Sequence, residues 1–218
     1  MAITTEPQQL LHLLAFMSPA FPVGGFAYSH GLERAIDDGT VTSADEVREW
    51  IASLLVHGSG WNDAVLFATA FDARDEVREE IDELALALAA SRERDLEISD
   101  LGQSFSKAVA TLSTAQTINF QTYPVAVAAA CQKTCIDKRS GLLSYLQAFS
   151  NNLIAVAVRL VPLGQSKGLE VMRDMMPVIS QTAERAMWAT LSDLGSSTLL
   201  SDIAAMKHES QYSRVFRS

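Results

Sequence analysis

Hydrophobic residues recur along this chain at intervals of three or four positions, and almost no segment alternates between apolar and polar residues. Leu10, Leu14 and Met17 follow this spacing near the N-terminus, and Val47 and Ile51 repeat it further along. A period of about 3.6 residues is typical of amphipathic α-helices, whereas half-buried strands alternate every second residue. The pattern therefore predicts an all-α protein, a single globular domain of roughly eight to ten helices with a flexible C-terminal tail.

Capping residues and helix breakers predict where these helices begin and end. Ser43 and Glu46 have the spacing of a capping box, Gly39 stops the preceding helix, and Pro177 is expected to divide a long helical pattern into two helices. The segment 142–161 is apolar on most sides, which places it at the centre of the bundle. The expected helices cover residues 7–17, 26–38, 43–57, 61–71, 77–88, 105–112, 125–135, 142–161, the pattern from 165 to 188, and 201–206.

The charge of the chain limits its partners. The formal net charge is −9 with a pI near 4.9, which argues against unaided nucleic-acid binding because such binding needs a basic surface. The segment 72–97 carries ten acidic and four basic residues and is expected to form a solvated helix face, with Val77, Ile81, Leu84 and Leu88 as its buried stripe. The C-terminal end is basic and is a candidate contact for something acidic.

Composition also predicts the compartment. The N-terminal residues lack a basic region followed by an apolar run, so we expect no signal peptide. No run of about 18 apolar residues is present, so we expect no membrane-spanning segment. Two cysteines, Cys131 and Cys135, do not make a disulfide framework; they are expected to act as small hydrophobic filler. The chain is therefore predicted to be cytoplasmic.

The chemistry-bearing residues form no recognisable catalytic motif. The chain contains no GxxxxGK[ST] phosphate loop, no HExxH and no GxSxG. Ser29 and His30 are neighbours and would point apart on a helix, so they are not a catalytic dyad. The four histidines are scattered singly: His12, His30, His57 and His208. We therefore predict no catalytic residue, no bound metal and no cofactor.

Two stretches do not look like ordinary helical protein. The segment 18–33, SPAFPVGGFAYSHGLE, combines Pro19 and Pro22 with Gly24 and Gly25, and it is either a rigid corner or a surface shaped for another protein.

The C-terminal stretch is the second. In the tail, Tyr212, Val215 and Phe216 have helical spacing, with Arg214 and Arg217 between and beside them. Aromatic and arginine side chains are typical interface anchors, but a frayed terminus has the same composition.

Three stretches together resemble the urease accessory protein UreF family. They are SPAFPVGGFAYSHGLE, RLVPLGQSKG (159–168) and DIAAMKHESQYSRVFRS (202–218), and the similarity covers essentially the whole chain. The resemblance implies a cytoplasmic all-α homodimer without catalytic chemistry of its own. It also implies a scaffold that binds UreD (also called UreH) and the GTPase UreG and couples GTP hydrolysis to nickel insertion into apo-urease. No nucleic acid and no membrane are implied as partners.

The resemblance also implies a partner-binding surface and a division of the chain. Residues 1–206 are expected to form the helical body of a single UreF-like domain, and 207–218 a tail that orders on binding UreD. Glu33 is expected to be exposed. Tyr123 and the segment 131–133 depart from the usual pattern of the family. The implied partner-binding residues are Pro22, Gly24, Gly25, Tyr28, His30, Glu33, Gln165, Lys167, His208, Glu209, Tyr212, Arg214, Phe216 and Arg217.

Two other functions stay open on the residues alone. One is a small all-α enzyme whose site gathers titratable side chains from distant helices in a pocket. The other is a direct nickel carrier that uses His30, Cys131, Cys135 and His208 as ligands.

Overall fold

The computed structural model describes residues 6–25, 28–112 and 118–216, and there the chain forms ten α-helices, one short 3₁₀ helix and no β-strand. The predicted all-α class and the predicted number of helices are confirmed. The helices are α1 (Pro7–Phe16), α2 (Leu32–Asp37), α3 (Ala44–His57), α4 (Ser59–Asp72), α5 (Asp75–Ala87), α6 (Arg92–Leu112), α7 (Tyr123–Lys133), α8 (Lys138–Leu160), α9 (Gly164–Ala186), the 3₁₀ helix Leu191–Asp193 and α10 (Leu199–His208).

Helices α4 and α7 form the centre of the core. Every residue from Val125 to Cys131 in α7 is fully buried, and α4 packs against α3, α5, α7, α8 and α9. The small side chains of α7 let its neighbours approach closely, so this helix is enclosed on all sides. The expectation that segment 142–161 occupies the centre is wrong in part, because one edge of α8, formed by Asn151, Ala155 and Arg159, is exposed.

Helix α8 is the one helix in the described part of the chain that is long and apolar enough to cross a membrane. Half of its most apolar window is buried within the fold, where α8 packs against α9, α4 and α2. Its apolar composition is accounted for by this packing in the core.

Helix α5 faces the core with a different side from the one expected. Val77 and Leu88 are each 39% exposed, whereas Arg78 and Asp82 are buried beside Ile81. Arg78 donates hydrogen bonds to the carbonyls of residues 70 and 71 at the end of α4, at 2.7 and 3.3 Å. The helix therefore buries two charged side chains because each satisfies backbone groups that would otherwise lack partners.

Helix α9 runs unbroken through Pro177, so the predicted division into two helices is wrong. Pro177 lies on the exposed side of the helix. There water can satisfy the carbonyl that is left without a partner by the missing N–H of the proline.

Residues 28–31, directly before α2, are not helical, so the prediction of a continuous helix over 26–38 is wrong there. His30 and Gly31 both have left-handed backbone conformations, with φ of 50° and 73°, and α2 begins only at Leu32. Residues 26 and 27 lie outside the described part. A Cβ at Gly31 would lie 2.7 Å from the carbonyl oxygen of Ser201, because α10 crosses α2 closely here. This close crossing brings the first and last unusual stretches of the sequence together.

Candidate functional site

A buried network of ion pairs holds the C-terminal segment against the helical body. His208, the last residue of α10, is 0% exposed. Its Nδ1 lies 3.0 Å from Oε2 of Glu93 on α6, and its Nε2 lies 3.1 Å from Oε2 of Glu33 on α2. Arg214 adds a third contact, donating from Nη1 to Oε1 of Glu93 at 2.9 Å. The network thus joins α2, α6, α10 and the residues that follow α10.

Glu33 also binds the backbone of the last described residues. The N–H of Val215 donates to Oε1 of Glu33 at 2.7 Å, and the N–H of Phe216 donates to Oε2 at 2.8 Å. Because the tail covers it, Glu33 is only 4% exposed, and the expectation that it lies on the surface is wrong. The Glu33 carboxylate, in the first unusual stretch, therefore binds the backbone of the second unusual stretch at the C-terminus.

The second stretch that resembles the family reaches the same place. The guanidinium carbon of Arg159, at the end of α8, lies 5.7 Å from the centre of the Phe216 ring, which packs partly buried against the core. A cation over an aromatic face is a favourable contact. All three stretches that carry the resemblance therefore meet around the C-terminal segment.

Helix α10 turns an apolar face outward beside this network. Its inner face consists of the small Ser201 and Ala204 together with His208. The outer face carries four large apolar side chains with exposures between 38% and 72%, namely Leu199, Leu200, Ile203 and Met206, and Tyr212 beyond it is fully exposed. Scattered exposed apolar residues need no explanation, whereas a contiguous apolar face marks an interaction surface.

The implied partner-binding residues divide by depth. Tyr28, His30, Glu33 and His208 are buried; Gly24, Gly25 and Phe216 are partly exposed; Pro22, Gln165, Lys167, Glu209, Tyr212 and Arg214 are exposed; and Arg217 lies outside the described residues. The buried members hold the surface in place from beneath, and direct contact with a partner stays a prediction for the exposed ones. The expected boundary after residue 206 falls inside α10, which continues to His208.

A second buried network lies behind the first and includes His30. The Nε2 of His30 is 3.0 Å from Oε1 of Glu97, and Arg94 donates to Oε2 of Glu97 at 2.7 Å. Arg94 also pairs with Asp63, whose other oxygen accepts a hydrogen bond from the Tyr145 hydroxyl at 2.8 Å. These contacts connect α4, α6 and α8 with the segment before α2 through side chains alone.

The electrostatics of this second network favour paired charges. Burial alone would raise the pKa of Glu97, but the neighbouring His30 and the guanidinium of Arg94 outweigh it and hold the pKa at about 2. Burial likewise opposes the charge of Arg94, but the carboxylates of Asp63 and Glu97 raise its pKa. Burial raises the pKa of Tyr145 well above its usual value. The network therefore stays ionised but offers no free acid or base.

Two cavities share this network as a common wall. The larger, about 220 Å³, lies towards α8 and the segment 16–25, with Val23 and Phe149 among its apolar lining. The smaller, about 70 Å³, lies towards α10 and includes Ser201. His30 and Glu97 border both cavities. Asp63 and Arg94, which pair with each other, border both cavities as well.

Among the described residues, no group of three or more histidine, cysteine, aspartate or glutamate side chains is placed to hold a metal ion. Glu33 and Glu93 contact opposite nitrogens of His208, so the three cannot converge on one ion. Cys131 is buried in α7, where burial raises the pKa of its thiol to about 12, while Cys135 is exposed. The ligand set considered for a direct nickel carrier is therefore not gathered into one site.

Sequence reasoning missed the acidic side chains that α6 contributes to the two networks, Glu93 and Glu97. It assigned the acidic residues of segment 72–97 to a solvated face, which holds for Glu79 and Glu80 but is wrong for Glu93 and Glu97. A signal was present, because Glu93 and Glu97 continue the four-residue spacing of two buried α6 residues, Leu101 and Phe105. The helix period that places the apolar residues inward places these carboxylates inward as well.

The fold and this site define a class: an all-α protein whose C-terminal segment is held by buried ion pairs next to an exposed apolar helix face. The family model for UreF matches residues 41–176. The chain is 44% identical over 222 residues to urease accessory protein UreF 1 of Brucella canis, covering 99% of the chain and 97% of that protein.

Two further relatives match over similar lengths. Urease accessory protein UreF of Ruegeria pomeroyi is 42% identical over 228 residues, covering all of both chains. The corresponding protein of Mesorhizobium japonicum is 44% identical over 223 residues, covering 99% of this chain and all of the relative. The chain belongs to the UreF family of urease accessory proteins, which confirms the resemblance in its sequence.

Proposed function

We propose that this protein is a non-enzymatic, cytoplasmic scaffold of urease maturation. It binds UreD (UreH) and the GTPase UreG, works as a homodimer, and couples GTP hydrolysis to the insertion of nickel, its cargo, into apo-urease. Membership of the UreF family supports the general role. The observation that carries the proposal is the outward apolar face of α10 beside a tail secured by Glu33 and His208.

The geometry of α10 supports a docking role on physical grounds. A helix in a globular protein normally turns its large apolar side chains inward and its small or polar ones outward. In α10 the large residues, such as Leu200 and Ile203, face outward. Exposing them costs free energy unless another protein covers them. We assign UreD to this face and to the adjoining tail.

The surface assigned to the GTPase follows from the second stretch. Gln165 and Lys167 lie exposed in the first turn of α9. Gln165 borders the same surface cavity as Arg159, whose guanidinium lies over the Phe216 ring. Because Phe216 is held by Glu33, docking at the tail and docking near the start of α9 share one set of contacts. This sharing is how the scaffold couples one partner to the other.

The enzyme alternative finds less support than the scaffold. An active site needs an acid, base or nucleophile free to react in a pocket. Three charged side chains that border both cavities, Asp63, Arg94 and Glu97, are paired with one another. Asp202, at the smaller cavity only, accepts a hydrogen bond from the Ser196 hydroxyl at 3.3 Å. The apolar face of α10, in contrast, has no partner within the described part of the chain, and this favours the scaffold.

Co-purification with UreD and UreG tests the proposal. The full chain is compared with Leu200→Asp, which places a charge on the outer face of α10, and with Leu112→Asp, a control on another exposed leucine. We expect UreD binding to weaken at least about tenfold for Leu200→Asp, because a buried unpaired charge is costly, and to stay unchanged for the control.

A truncated chain tests the tail separately. Ending the chain at Gln211 removes Arg214 and Phe216 but keeps His208, whereas ending it at residue 206 would leave Glu33 and Glu93 buried without a cation. Loss of UreD capture with an unchanged circular dichroism spectrum is the expected result. Capture of UreD by both the truncated chain and Leu200→Asp at wild-type strength would contradict the proposal.

A further inference from the structure

The two ring nitrogens of His208 both face carboxylates. Nδ1 lies 3.1 and 3.0 Å from the two oxygens of Glu93, and Nε2 lies 3.1 Å from an oxygen of Glu33. An ionised carboxylate can only accept hydrogen bonds, and a neutral imidazole has only one N–H to donate. A neutral His208 between two ionised glutamates would therefore turn a lone pair against a carboxylate in a buried site.

This geometry requires one more proton than a neutral histidine and two carboxylates carry. The proton sits either on His208, as an imidazolium that donates from both nitrogens, or on Glu93, which then donates to Nδ1. We infer that this proton makes the cluster of Glu33, Glu93 and His208 a latch for the C-terminal segment, which comes loose from the body when the proton is lost as the pH rises.

The surrounding charges agree with a proton held at this place. Glu33 faces His208 from α2 and Glu93 from α6, while Arg214 reaches Glu93 from the tail. Glu209, next to His208, binds the backbone N–H of Arg92 at 3.0 Å, and Lys207 is exposed. With the proton on His208, two carboxylates face two cations, and with the proton on Glu93, one carboxylate and one cation remain. Without the proton, the two carboxylates face Arg214 alone, whose side chain is 42% exposed.

Burial also favours keeping a proton within the cluster. It raises the pKa of Glu93, and the opposing effects of His208 and Arg214 do not cancel this. Glu93 is therefore a second place for the proton when it leaves the imidazole ring.

The latch controls the tail because both of its backbone bonds end at the same carboxylate. Glu33 accepts from the N–H groups of Val215 and Phe216 and also contacts His208. When the proton leaves, the neutral ring donates to only one of the two carboxylates, and the other has to draw in water, so the tail must move to admit it. Tyr212 and Val215 are largely exposed, so Phe216 alone adds apolar contact to hold the tail.

Proton linkage sets the size of the effect. If docking of the tail requires one bound proton, its equilibrium constant falls about tenfold for each pH unit above the transition. The same linkage predicts no change well below the transition. This property belongs to the isolated chain and needs no partner, so its failure would leave the proposed scaffold role untouched.

Nuclear magnetic resonance of the full-length, ¹⁵N-labelled chain tests the latch between about pH 6 and about pH 9. The measured quantities are the protection factors of the Val215 and Phe216 amides, corrected for intrinsic exchange, and the ¹⁵N shifts of the His208 ring. We expect high protection at the acidic end, where His208 and Glu93 share the additional proton, and falling protection towards the alkaline end.

Two variants distinguish the latch from general loosening of the terminus. In Glu93→Gln the amide can donate to a neutral His208 ring, so protection of the two amides becomes independent of pH. His57→Gln, at an exposed histidine, keeps the wild-type dependence. If protection of the two amides in Glu93→Gln falls with rising pH as it does in the wild type, the proposal is overturned. A wild-type chain whose tail stays protected while His208 is neutral and Glu93 ionised overturns it too, a result that does not depend on how any variant folds.

Discussion

Replacing Glu33 with alanine removes the carboxylate on which the C-terminal segment depends. Three donors lose their acceptor: Nε2 of His208 and the N–H groups of Val215 and Phe216. The two backbone groups lie in an exposed segment and can bond to water once the tail leaves. His208 cannot, because it is fully buried. The loss of global stability therefore comes mainly from the broken His208–Glu33 pair.

The size of that loss follows from the burial of the pair. Removing one partner of a buried ion pair costs about 3–5 kcal/mol when the other charge is left without compensation. His208 retains Glu93, so we expect the lower end, a decrease of about 3 kcal/mol in the free energy of unfolding. Glu33→Gln keeps an oxygen acceptor for part of the network and should lose about 1 kcal/mol.

Urea unfolding followed by far-ultraviolet circular dichroism measures this loss. Glu79→Ala is the matched control, because Glu79 is exposed on α5 and such substitutions change stability by less than about 0.5 kcal/mol. A Glu33→Ala variant as stable as the Glu79→Ala variant would refute the structural role of Glu33. If the loss is as expected, weaker partner binding by Glu33→Ala reports a released tail and not a lost direct contact.

Two further predictions concern the body of the protein. Gly102→Ala should lower the thermal unfolding temperature and the free energy of unfolding, the latter by about 1–3 kcal/mol, because its Cβ would lie 2.1 Å from the carbonyl oxygen of Gln121. Gly195→Ala, with open space around it, is the control. Equal melting temperatures of the two variants would contradict the packing argument. The pKa of Glu97 lies at about 2 in the folded chain, against an ordinary value of 4.5. Its ionised form therefore contributes about 3 kcal/mol to the free energy of unfolding. This contribution is fully present above pH 4.5 and is lost as the pH falls towards the pKa of the folded chain. Urea unfolding of the wild type and Glu97→Gln along that pH range should give curves that converge towards acid, and parallel curves would disprove the assignment.

Helical periodicity was enough to predict the fold class. The spacing of apolar residues depends on local geometry, and Ser43 with Glu46 marks the start of α3 through a local cap that the structure contains. The family resemblance was equally available, because the three stretches around Gly24, Gln165 and His208 are read directly from residue order. Local chemistry of this kind does not require knowledge of which elements pack together.

Residue order alone could not predict which charged residues lie in the core. Arg78 and Asp82 look like members of a solvated face, and only the nearby end of α4 and the backbone at residues 121–122 show why they are buried. Pro177 likewise reads as a break, but it lies on an exposed side where the helix tolerates it. In each case the deciding partner is distant in sequence.

The candidate site shows the same division most clearly. The sequence by itself determined that Glu33, His208 and Phe216 belong to unusual stretches and that the chain is helical. Only the tertiary structure decided that these residues meet, with 175 positions of sequence between Glu33 and His208. The physical reason is that a buried charge is stable only when a partner of opposite charge reaches it, and periodicity places a residue on a helix face without saying what that face will meet.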